Sequence, residues 1–267
     1  MNSKPVLFLD SGLGGIPYCR DFLKRNPNEA ICYLADRLNF PYGPRGKEEI
    51  ASILTALTEK LLKTANPKIA VLACNTASIA ALAPLRENFP NLPFVGTVPA
   101  IKPAANASKN GKIGVLGTER TINDIRSLHL ADDRCEIIGV AAPELVEFVE
   151  HGFYNADENE KTEIVKKYIK LFRAEGADTV VLGCTHFLYL LEDFRREAAP
   201  FIKIFDSLDG ITKRIEYLLE ENDGILRAEK DSRPVNRFIL TGTNAPDQFW
   251  RDMAQKLGFN LCLLEEL

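Results

Sequence analysis

Short apolar runs alternate with longer amphipathic stretches along the whole chain. In the longer stretches apolar residues recur every three or four positions, as at Ile50, Leu54, Leu57 and Leu61, which is the period of a helix with one buried face. The short runs are almost continuously apolar, which is typical of strands covered on both faces of a parallel sheet. The alternation predicts an α/β fold built from mostly parallel sheets flanked by helices.

The pattern also places the individual elements. Strands are predicted at residues 5–10, 30–34, 69–73, 94–96, 113–116, 136–140, 179–182, 202–205 and 237–241. Helices are predicted, among others, at residues 47–64, 76–88, 122–130, 159–174, 212–221 and 246–257. Such helices supply the crossover connections that neighbouring parallel strands require.

Two segments of the chain resemble each other. Residues 71–76 read VLACNT and residues 181–186 read VLGCTH, so each apolar run ends at a cysteine, Cys74 or Cys184. The interval from Asp10 to Cys74 nearly matches the interval from Gly117 to Cys184. The repeat predicts two pseudo-symmetric lobes, each a mostly parallel sheet flanked by helices, with the active site in the cleft between them.

The lobe boundaries are predicted where strands end and turn-forming residues follow. Pro99 and Pro103 come after the strand at 94–96, and prolines of this kind interrupt regular structure. The N-terminal lobe is predicted to comprise residues 1–97 plus 207–267 and to carry Cys74. The second lobe is predicted to comprise residues 98–206 and to carry Cys184.

Charge and hydropathy exclude several classes of protein. The chain has 33 basic and 37 acidic side chains, hence a formal net charge of -4, whereas nucleic-acid binders usually carry a basic excess or a basic stripe. No apolar run approaches the length of a membrane span, and the run at residues 6–9 is too short for the core of a signal peptide. We therefore expect a cytoplasmic protein that binds neither nucleic acid nor membrane.

The cysteines argue against a structural disulfide or metal framework. The six cysteines are scattered and form no CxxC pair, and the chain has three histidines. Neither a disulfide framework nor a zinc site is predicted from such spacing. Four of the cysteines are interpreted as small buried hydrophobic residues, namely Cys19, Cys32, Cys135 and Cys262.

Cys74 and Cys184 differ from the other four because each stands between an apolar strand and a polar helix start. Ligands bind at the carboxyl ends of strands in open α/β sheets, and the N-terminus of a helix favours the thiolate form of cysteine. Asn75, Thr76 and Thr185 follow directly and offer hydrogen bonds to an anionic ligand. Two such thiols facing one ligand could form a disulfide, bind a metal or act as paired bases.

Paired bases suit one reaction in particular. Inverting a stereocentre by proton transfer requires removal of hydrogen from one face of a carbon and its return to the other face. One base reaches a single face unless the substrate turns over. A cleft with one thiol in each lobe reaches both faces.

Four motifs together resemble glutamate racemases, the cofactor-independent enzymes of the aspartate/glutamate racemase family. The motifs are DSGLGG at residues 10–15, PYGPR at 41–45, ACNTAS at 73–78 and LGCTHF at 182–187, with a supporting match, IGVLGT, at 113–118. The resemblance covers the whole length of the chain. It implies a two-lobed α/β enzyme that interconverts L- and D-glutamate without a cofactor or metal, supplies D-glutamate for peptidoglycan synthesis and forms a homodimer.

The resemblance also implies catalytic roles for the matched residues. Cys74 and Cys184 would act on opposite faces of the α-carbon, each as the acid in one direction and the base in the other. Asp10 would assist Cys74, and His186 would assist Cys184. The thiols would then be the two catalytic bases and the other two residues their auxiliary groups.

Further residues are implied at the substrate itself. The family has a further catalytic carboxylate, expected within the segment 146–152, which we place at Glu150 in preference to Glu147. Side chains and backbone groups would hold the two carboxylates and the ammonium of glutamate. The implied substrate-binding residues are Asp10, Ser11, Tyr42, Gly43, Asn75, Thr76, Thr185 and His186.

Alternative interpretations remain at this stage. Asp10 could be a turn or helix-capping residue, and His186 could serve only in capping or packing. A racemase of aspartate or of a hydantoin would use the same chemistry. Two lobes around a cleft also suit a non-catalytic binding protein, which would keep its affinity when Cys74 or Cys184 is replaced by alanine, whereas a racemase would lose turnover.

Overall fold

The structure is a computed structural model that describes residues 4–127, 135–221 and 227–267. The strands of these residues are β1 (Val6–Asp10), β2 (Ile31–Ala35), β3 (Ile69–Leu72), β4 (Phe94–Gly96), β5 (Lys112–Gly117), β6 (Glu136–Ala141), β7 (Thr179–Leu182), β8 (Lys203–Phe205), β9 (Arg237–Leu240) and β10 (Asn260–Leu263). The α-helices are α1 (Ile16–Arg25), α2 (Lys47–Thr64), α3 (Asn75–Asn88), α4 (Ile101–Ala107), α5 (Glu119–Ser127), α6 (Pro143–Glu147), α7 (Glu158–Ala174), α8 (Leu191–Ala198), α9 (Leu208–Glu221) and α10 (Gln248–Leu257).

Short helices of other types complete the secondary structure. Turns of 3₁₀ helix lie at Arg37–Asn39, Thr185–Leu190 and Leu264–Glu266, and a turn of π-helix lies at Phe148–Gly152. None of the helices in the described part of the chain is long and apolar enough to cross a membrane.

The chain divides into two compact units. Unit 1 comprises Met1–Thr97 and Leu208–Leu267, and unit 2 comprises Val98–Ser207. Each unit contains one sheet whose strands are all parallel. The prediction of an α/β fold with parallel sheets flanked by helices is confirmed.

The sheet of unit 1 has six strands in the order β10-β9-β2-β1-β3-β4. Leu7 and Leu9 of β1 pack on one face into a core that includes Leu54 of α2 and Leu85 of α3. Phe8, between the two leucines, points to the opposite face, because successive strand residues alternate; its ring lies 5.8 Å from that of Phe22 in α1. Both faces of the sheet are therefore covered, as its continuous apolar runs predict.

The sheet of unit 2 has four strands in the order β6-β5-β7-β8. Ile113 and Val115 of β5 pack with Ile101 of α4 on one face. On the other face Gly114 makes room for a ring of α7, since a Cβ atom on Gly114 would stand 2.5 Å from Phe172. The order equals β2-β1-β3-β4 of unit 1, so β3 and β7 hold equivalent places in the two sheets.

The predicted elements differ from the observed ones mainly at their ends. The helix predicted at 47–64 coincides with α2, and the strand predicted at 179–182 coincides with β7. The helix predicted at 122–130 begins earlier, at Glu119, and its last three positions lie outside the described residues. The edge strand β10 was missed, because its short sequence NLCL begins with a polar residue and carries no clear alternation.

Candidate active site

Cys74 lies at the carboxyl edge of the six-stranded sheet, where ligands bind in open α/β sheets. It follows β3 and precedes the first residue of α3, Asn75. Its backbone is extended, with φ -138° and ψ 124°, while its carbonyl accepts a hydrogen bond of 2.9 Å from the Ser78 N–H. This places the thiol, in a residue that is 9% exposed, at a helix N-terminus that favours negative charge.

The DSGLGG turn packs directly against the segment that carries Cys74. The carboxylate of Asp10, at the end of β1, accepts a 2.7 Å hydrogen bond from the Gly12 N–H, and the Tyr33 hydroxyl donates to the Gly12 carbonyl at 2.8 Å. A Cβ atom on Gly15 would stand 2.7 Å from the Cβ of Ala73. Only glycine at position 15 therefore allows this close approach. One carboxylate oxygen of Asp10 is occupied in stabilising the turn through the Gly12 N–H.

Tyr42 is held at the same edge by a buried carboxylate. Its hydroxyl donates to Asp36 at 2.6 Å, and the Thr241 hydroxyl donates to the other oxygen of Asp36 at 2.7 Å. Burial, followed by the charge and hydrogen bond of Asp36 and the charges of Cys74 and Asp10, holds the pKa of Tyr42 well above its usual range. Tyr42 therefore stays protonated, and because its one O–H is donated to Asp36, its oxygen is left to accept a hydrogen bond beside the thiol.

The remaining predicted residues of unit 1 lie in the same loops. Ser11, Asn75 and Thr76 are buried, and Gly43 is half-buried. A Cβ atom on Gly43 would have no neighbour within 4 Å, so space lies beside that backbone. Seven of the predicted residues thus share one sheet edge: Asp10, Ser11, Tyr42, Gly43, Cys74, Asn75 and Thr76.

Cys184 occupies the equivalent place in unit 2. It follows β7 and precedes the 3₁₀ helix Thr185–Leu190 rather than an α-helix. Its backbone is again extended, with φ -134° and ψ 137°, and the residue is 7% exposed. Thr185 and His186 are buried directly after it.

His186 links Cys184 to a carboxylate. Nδ1 of His186 lies 3.7 Å from the sulfur of Cys184, and Nε2 lies 2.5 Å from Oε1 of Glu150. Burial lowers the pKa of His186, but the hydrogen bonds to Cys184 and Glu150, with the charges of both groups, outweigh it and hold that pKa well above its usual range. The arrangement favours the protonated imidazolium of His186 between Cys184 and Glu150.

The π-helix decides which glutamate of its segment reaches His186. Its wide turn is closed by a 2.7 Å hydrogen bond from the Phe153 N–H to the Phe148 carbonyl. Glu150, with a side chain 6% exposed, points to His186. Glu147 is 65% exposed at its side chain and pairs with His151 at 3.6 Å. The structure therefore places Glu150 in the cluster with Cys184 and leaves Glu147 at the surface.

Some polar residues at these sheet edges had no role in the sequence analysis. Asp36 follows β2, Thr118 follows β5, and Thr118 and Thr121 share a 2.9 Å hydroxyl contact. Thr121 is fully buried and lies beside Gly183, whose hypothetical Cβ would be 3.7 Å from it. A search for the first polar residue after every predicted strand would have found Asp36 and Thr118, since the carboxyl ends of parallel strands meet at one edge.

The other cysteines are packed differently. Burial raises the pKa of the Cys32 thiol to about 12 and also raises that of Cys19. Both are buried as predicted, whereas Cys135 and Cys262 are only half-buried. None of the six cysteines, all within the described ranges, forms a disulfide. Across residues 4–127, 135–221 and 227–267, no cluster of three or more His, Cys, Asp and Glu side chains could hold a metal ion.

Comparison with known proteins gives one consistent family. A family model described as Asp/Glu/Hydantoin racemase matches residues 22–211. The glutamate racemase of Corynebacterium diphtheriae is 35% identical over 245 residues, which are 91% of this chain and 90% of that protein.

Solved structures agree with this similarity. Escherichia coli glutamate racemase, in complex with L-glutamate and the activator UDP-MurNAc-ala, has a TM-score of 0.83 at 29% identity, with 97% of each chain covered. Glutamate racemase from Francisella tularensis subsp. tularensis, in complex with D-glutamate, has a TM-score of 0.78 at 25% identity, with 100% of each chain covered.

Proposed function

Since this chain belongs to the Asp/Glu/hydantoin racemase family, we propose that it is a glutamate racemase that interconverts L- and D-glutamate by proton transfer to and from two cysteines. Its product D-glutamate would serve peptidoglycan synthesis, and through it cell wall biogenesis and cell shape. The substrate assignment is supported by the two similar enzymes, one in complex with L-glutamate and the other with D-glutamate.

The observation that carries the proposal is the equivalent setting of the two thiols. Cys74 follows β3 and Cys184 follows β7, at the same place in the same strand order. Each is buried, extended in its backbone and followed by a helical turn. Racemisation needs one base for each face of the α-carbon, and the proposal requires each thiol to reach one of those faces.

On the Cys184 side we propose where each proton is held and moved. A protonated His186 donates from both ring nitrogens, to Glu150 through Nε2 and to the sulfur through Nδ1. The thiolate of Cys184 then takes the α-proton and becomes a thiol. In the reverse direction the thiol returns the proton, and the imidazolium stabilises the thiolate that is left.

On the Cys74 side the polar groups are different. Tyr42 stays protonated and donates its one O–H to Asp36, and Asp10 is the auxiliary carboxylate that the family resemblance implies. We propose that Asp10 accepts the proton of Cys74 or orients the ammonium of glutamate. Like Cys184, Cys74 would be the base for one enantiomer and the acid for the other.

Fixed donors at the two sheet edges would bind the substrate. The carbanion that forms at the α-carbon must be stabilised by preorganised hydrogen bonds, and the N–H groups of a helix start are such donors. We propose that Ser11, Tyr42, Gly43, Asn75 and Thr76 bind from unit 1, and Thr185 and His186 from unit 2.

The test is incubation of the purified protein with L-glutamate in D₂O, with a reductant and without pyridoxal phosphate. Chiral analysis follows D-glutamate, and NMR follows loss of the α-proton. We expect deuterated D-glutamate from the native chain and none from Cys74→Ala or Cys184→Ala. Cys19→Ala is the matched control, because that buried thiol lies in α1 rather than directly after β3 or β7.

The other outcomes separate the alternatives. Exchange with aspartate or a hydantoin but not with glutamate would keep the mechanism and change the substrate. No exchange with any of them, together with glutamate affinity that survives both alanine substitutions, would show a binding protein and refute the racemase.

Assembly and location are part of the proposal. By family resemblance we propose a homodimer, which light scattering at working concentration would test against a monomer. We also propose that residues 1–97 with 207–267 and residues 98–206 act as domains that deliver one thiol each. A cytoplasmic location fits the need for two reduced thiols, and fractionation of cells would test it.

A further inference from the structure

The two residues that face each other in the Glu150–His186 contact have aromatic neighbours at the same offset. Three positions after Glu150 comes Phe153, and three positions after His186 comes Tyr189. The rings of Phe153 and Tyr189 meet edge to face, with centroids 5.2 Å apart and an interplanar angle of 73°. The polar contact and the aromatic contact therefore join the same two segments of chain.

The helix types explain why both contacts fall on one side. Residues three apart eclipse each other in a 3₁₀ helix, so His186 and Tyr189 project in the same direction from Thr185–Leu190. Phe153 is the first residue after the π-turn, and its N–H closes that turn by donating to the Phe148 carbonyl. The segment that presents Glu150 is thus anchored by Phe153.

Further rings and a cation brace this contact. Tyr154 also meets Tyr189 edge to face, with centroids 6.2 Å apart, and Phe148 meets Phe153 at 6.4 Å. The ammonium of Lys161, from α7, lies 4.9 Å from the centre of the Phe153 ring. Edge-to-face pairs and cation–π contacts fix ring orientation as well as adding attraction.

We infer that the aromatic pair Phe153–Tyr189 is a positioning device, which holds the π-turn against the 3₁₀ helix so that Glu150 stays in hydrogen-bond contact with His186. The inference rests on the proposed function for its catalytic consequence. Neither ring touches reacting atoms in this account; both act through the carboxylate and the imidazole.

Four carboxylates on the neighbouring helices α6 and α8 have ion-pair partners of their own. Glu144 and Glu147 of α6 pair with Lys167 and His151. On α8, Glu192 pairs with Arg195, and Asp193 pairs with Arg196. Loss of the aromatic pair should therefore act on His186 through Glu150 and Cys184.

The test compares Phe153→Leu and Tyr189→Leu with the native chain by NMR titration of the His186 imidazole. The chain has three histidines, so comparison with His186→Asn identifies the signal. When the carboxylate withdraws, one of the two groups that raise the pKa of His186 is lost, while burial still lowers it, so that pKa should fall from its raised value. We expect kcat for glutamate to fall about tenfold with it, and the pH profile of kcat to move to lower pH.

Matched variants separate positioning from general packing. Tyr189→Phe keeps the ring and should retain the native titration. Phe249→Leu removes a comparable edge-to-face pair in unit 1, with Trp250 at 5.5 Å, and should lower stability without moving the His186 titration. If a leucine variant does not fold, Phe153→Met also removes the ring, and its flexible side chain adapts to the space that is left.

The titration of His186 in these variants either supports or overturns the inference. A folded Phe153→Leu or Phe153→Met protein with the native His186 titration overturns the inference. A shifted titration that Tyr189→Phe does not share supports it. The titration needs no substrate, so it judges the aromatic pair even if the chain proves not to racemise glutamate.

Discussion

Cys74 and Cys184 hold equivalent places in their sheets, but different polar groups surround them. Around Cys74 the polar groups are a protonated tyrosine on a buried carboxylate and a hydrogen-bonded aspartate turn. Around Cys184 one imidazole joins the sulfur to Glu150. Equivalent places in two sheets of the same strand order thus carry unlike polar neighbours, which teaches that the strand order fixes where each cysteine stands but not which groups surround it.

The largest expected effect is on kcat, when the group beside Cys184 is replaced and compared with a replacement beside Cys74. His186→Asn should lower kcat by about 10²–10⁴-fold, because one ionisable group carries the proton chemistry of Cys184. Tyr42→Phe should lower kcat only about tenfold, since it removes one neutral hydroxyl near Cys74. The measurement is kcat for each enantiomer by chiral chromatography.

That measurement has an internal control. The enantiomers have equal free energies, so kcat/KM must fall by the same factor in both directions, whereas kcat need not. Equal losses of kcat in His186→Asn and Tyr42→Phe would show that the surroundings of the two cysteines do not differ in their contribution to catalysis.

A smaller effect concerns stability and pH in the Cys184 region. Because the pKa of His186 is raised in the folded state, its contribution to the free energy of unfolding is full below the unfolded value of about 6.5 and is lost as pH rises through the raised pKa. Glu150→Gln removes part of that shift. We expect it to destabilise the protein by about 1–3 kcal/mol near pH 6 and by progressively less at higher pH.

Urea titrations at several pH values would measure this difference. Tyr42→Phe should show no such trend over the same range, since that hydroxyl stays protonated throughout. A Glu150→Gln deficit that grows with pH would contradict the account of His186.

The last comparison concerns stability alone, at two glycines that let loops approach the segments carrying the cysteines. Gly15→Ala should cost about 1–3 kcal/mol, because its Cβ would stand 2.7 Å from the Ala73 Cβ. Gly183→Ala should cost less, since its nearest contact is 3.0 Å, to the Leu116 carbonyl. Thermal unfolding would rank them, with Gly210→Ala as the control, because nothing lies within 4 Å of that position.

The sequence allowed prediction of the framework more readily than of the local geometry. Apolar runs ending at Cys74 and Cys184 located both thiols at sheet edges, because burial on two faces leaves a clear pattern. The pattern did not indicate the 3₁₀ helix after Cys184 or the π-turn that presents Glu150. Those depend on which hydrogen bonds close in the folded chain, and the partnership of Asp36 with Thr241 joins segments far apart in sequence.

The discontinuous composition of unit 1 has a consequence for how the chain is made. All residues of unit 2, Val98–Ser207, emerge from the ribosome before α9, β9 and β10 exist. Strand β2 pairs on one side with β1 but must wait for β9 on the other. During synthesis the four-stranded sheet can therefore be completed first, while the six-stranded sheet exposes an unpaired edge at β2 until β9 arrives.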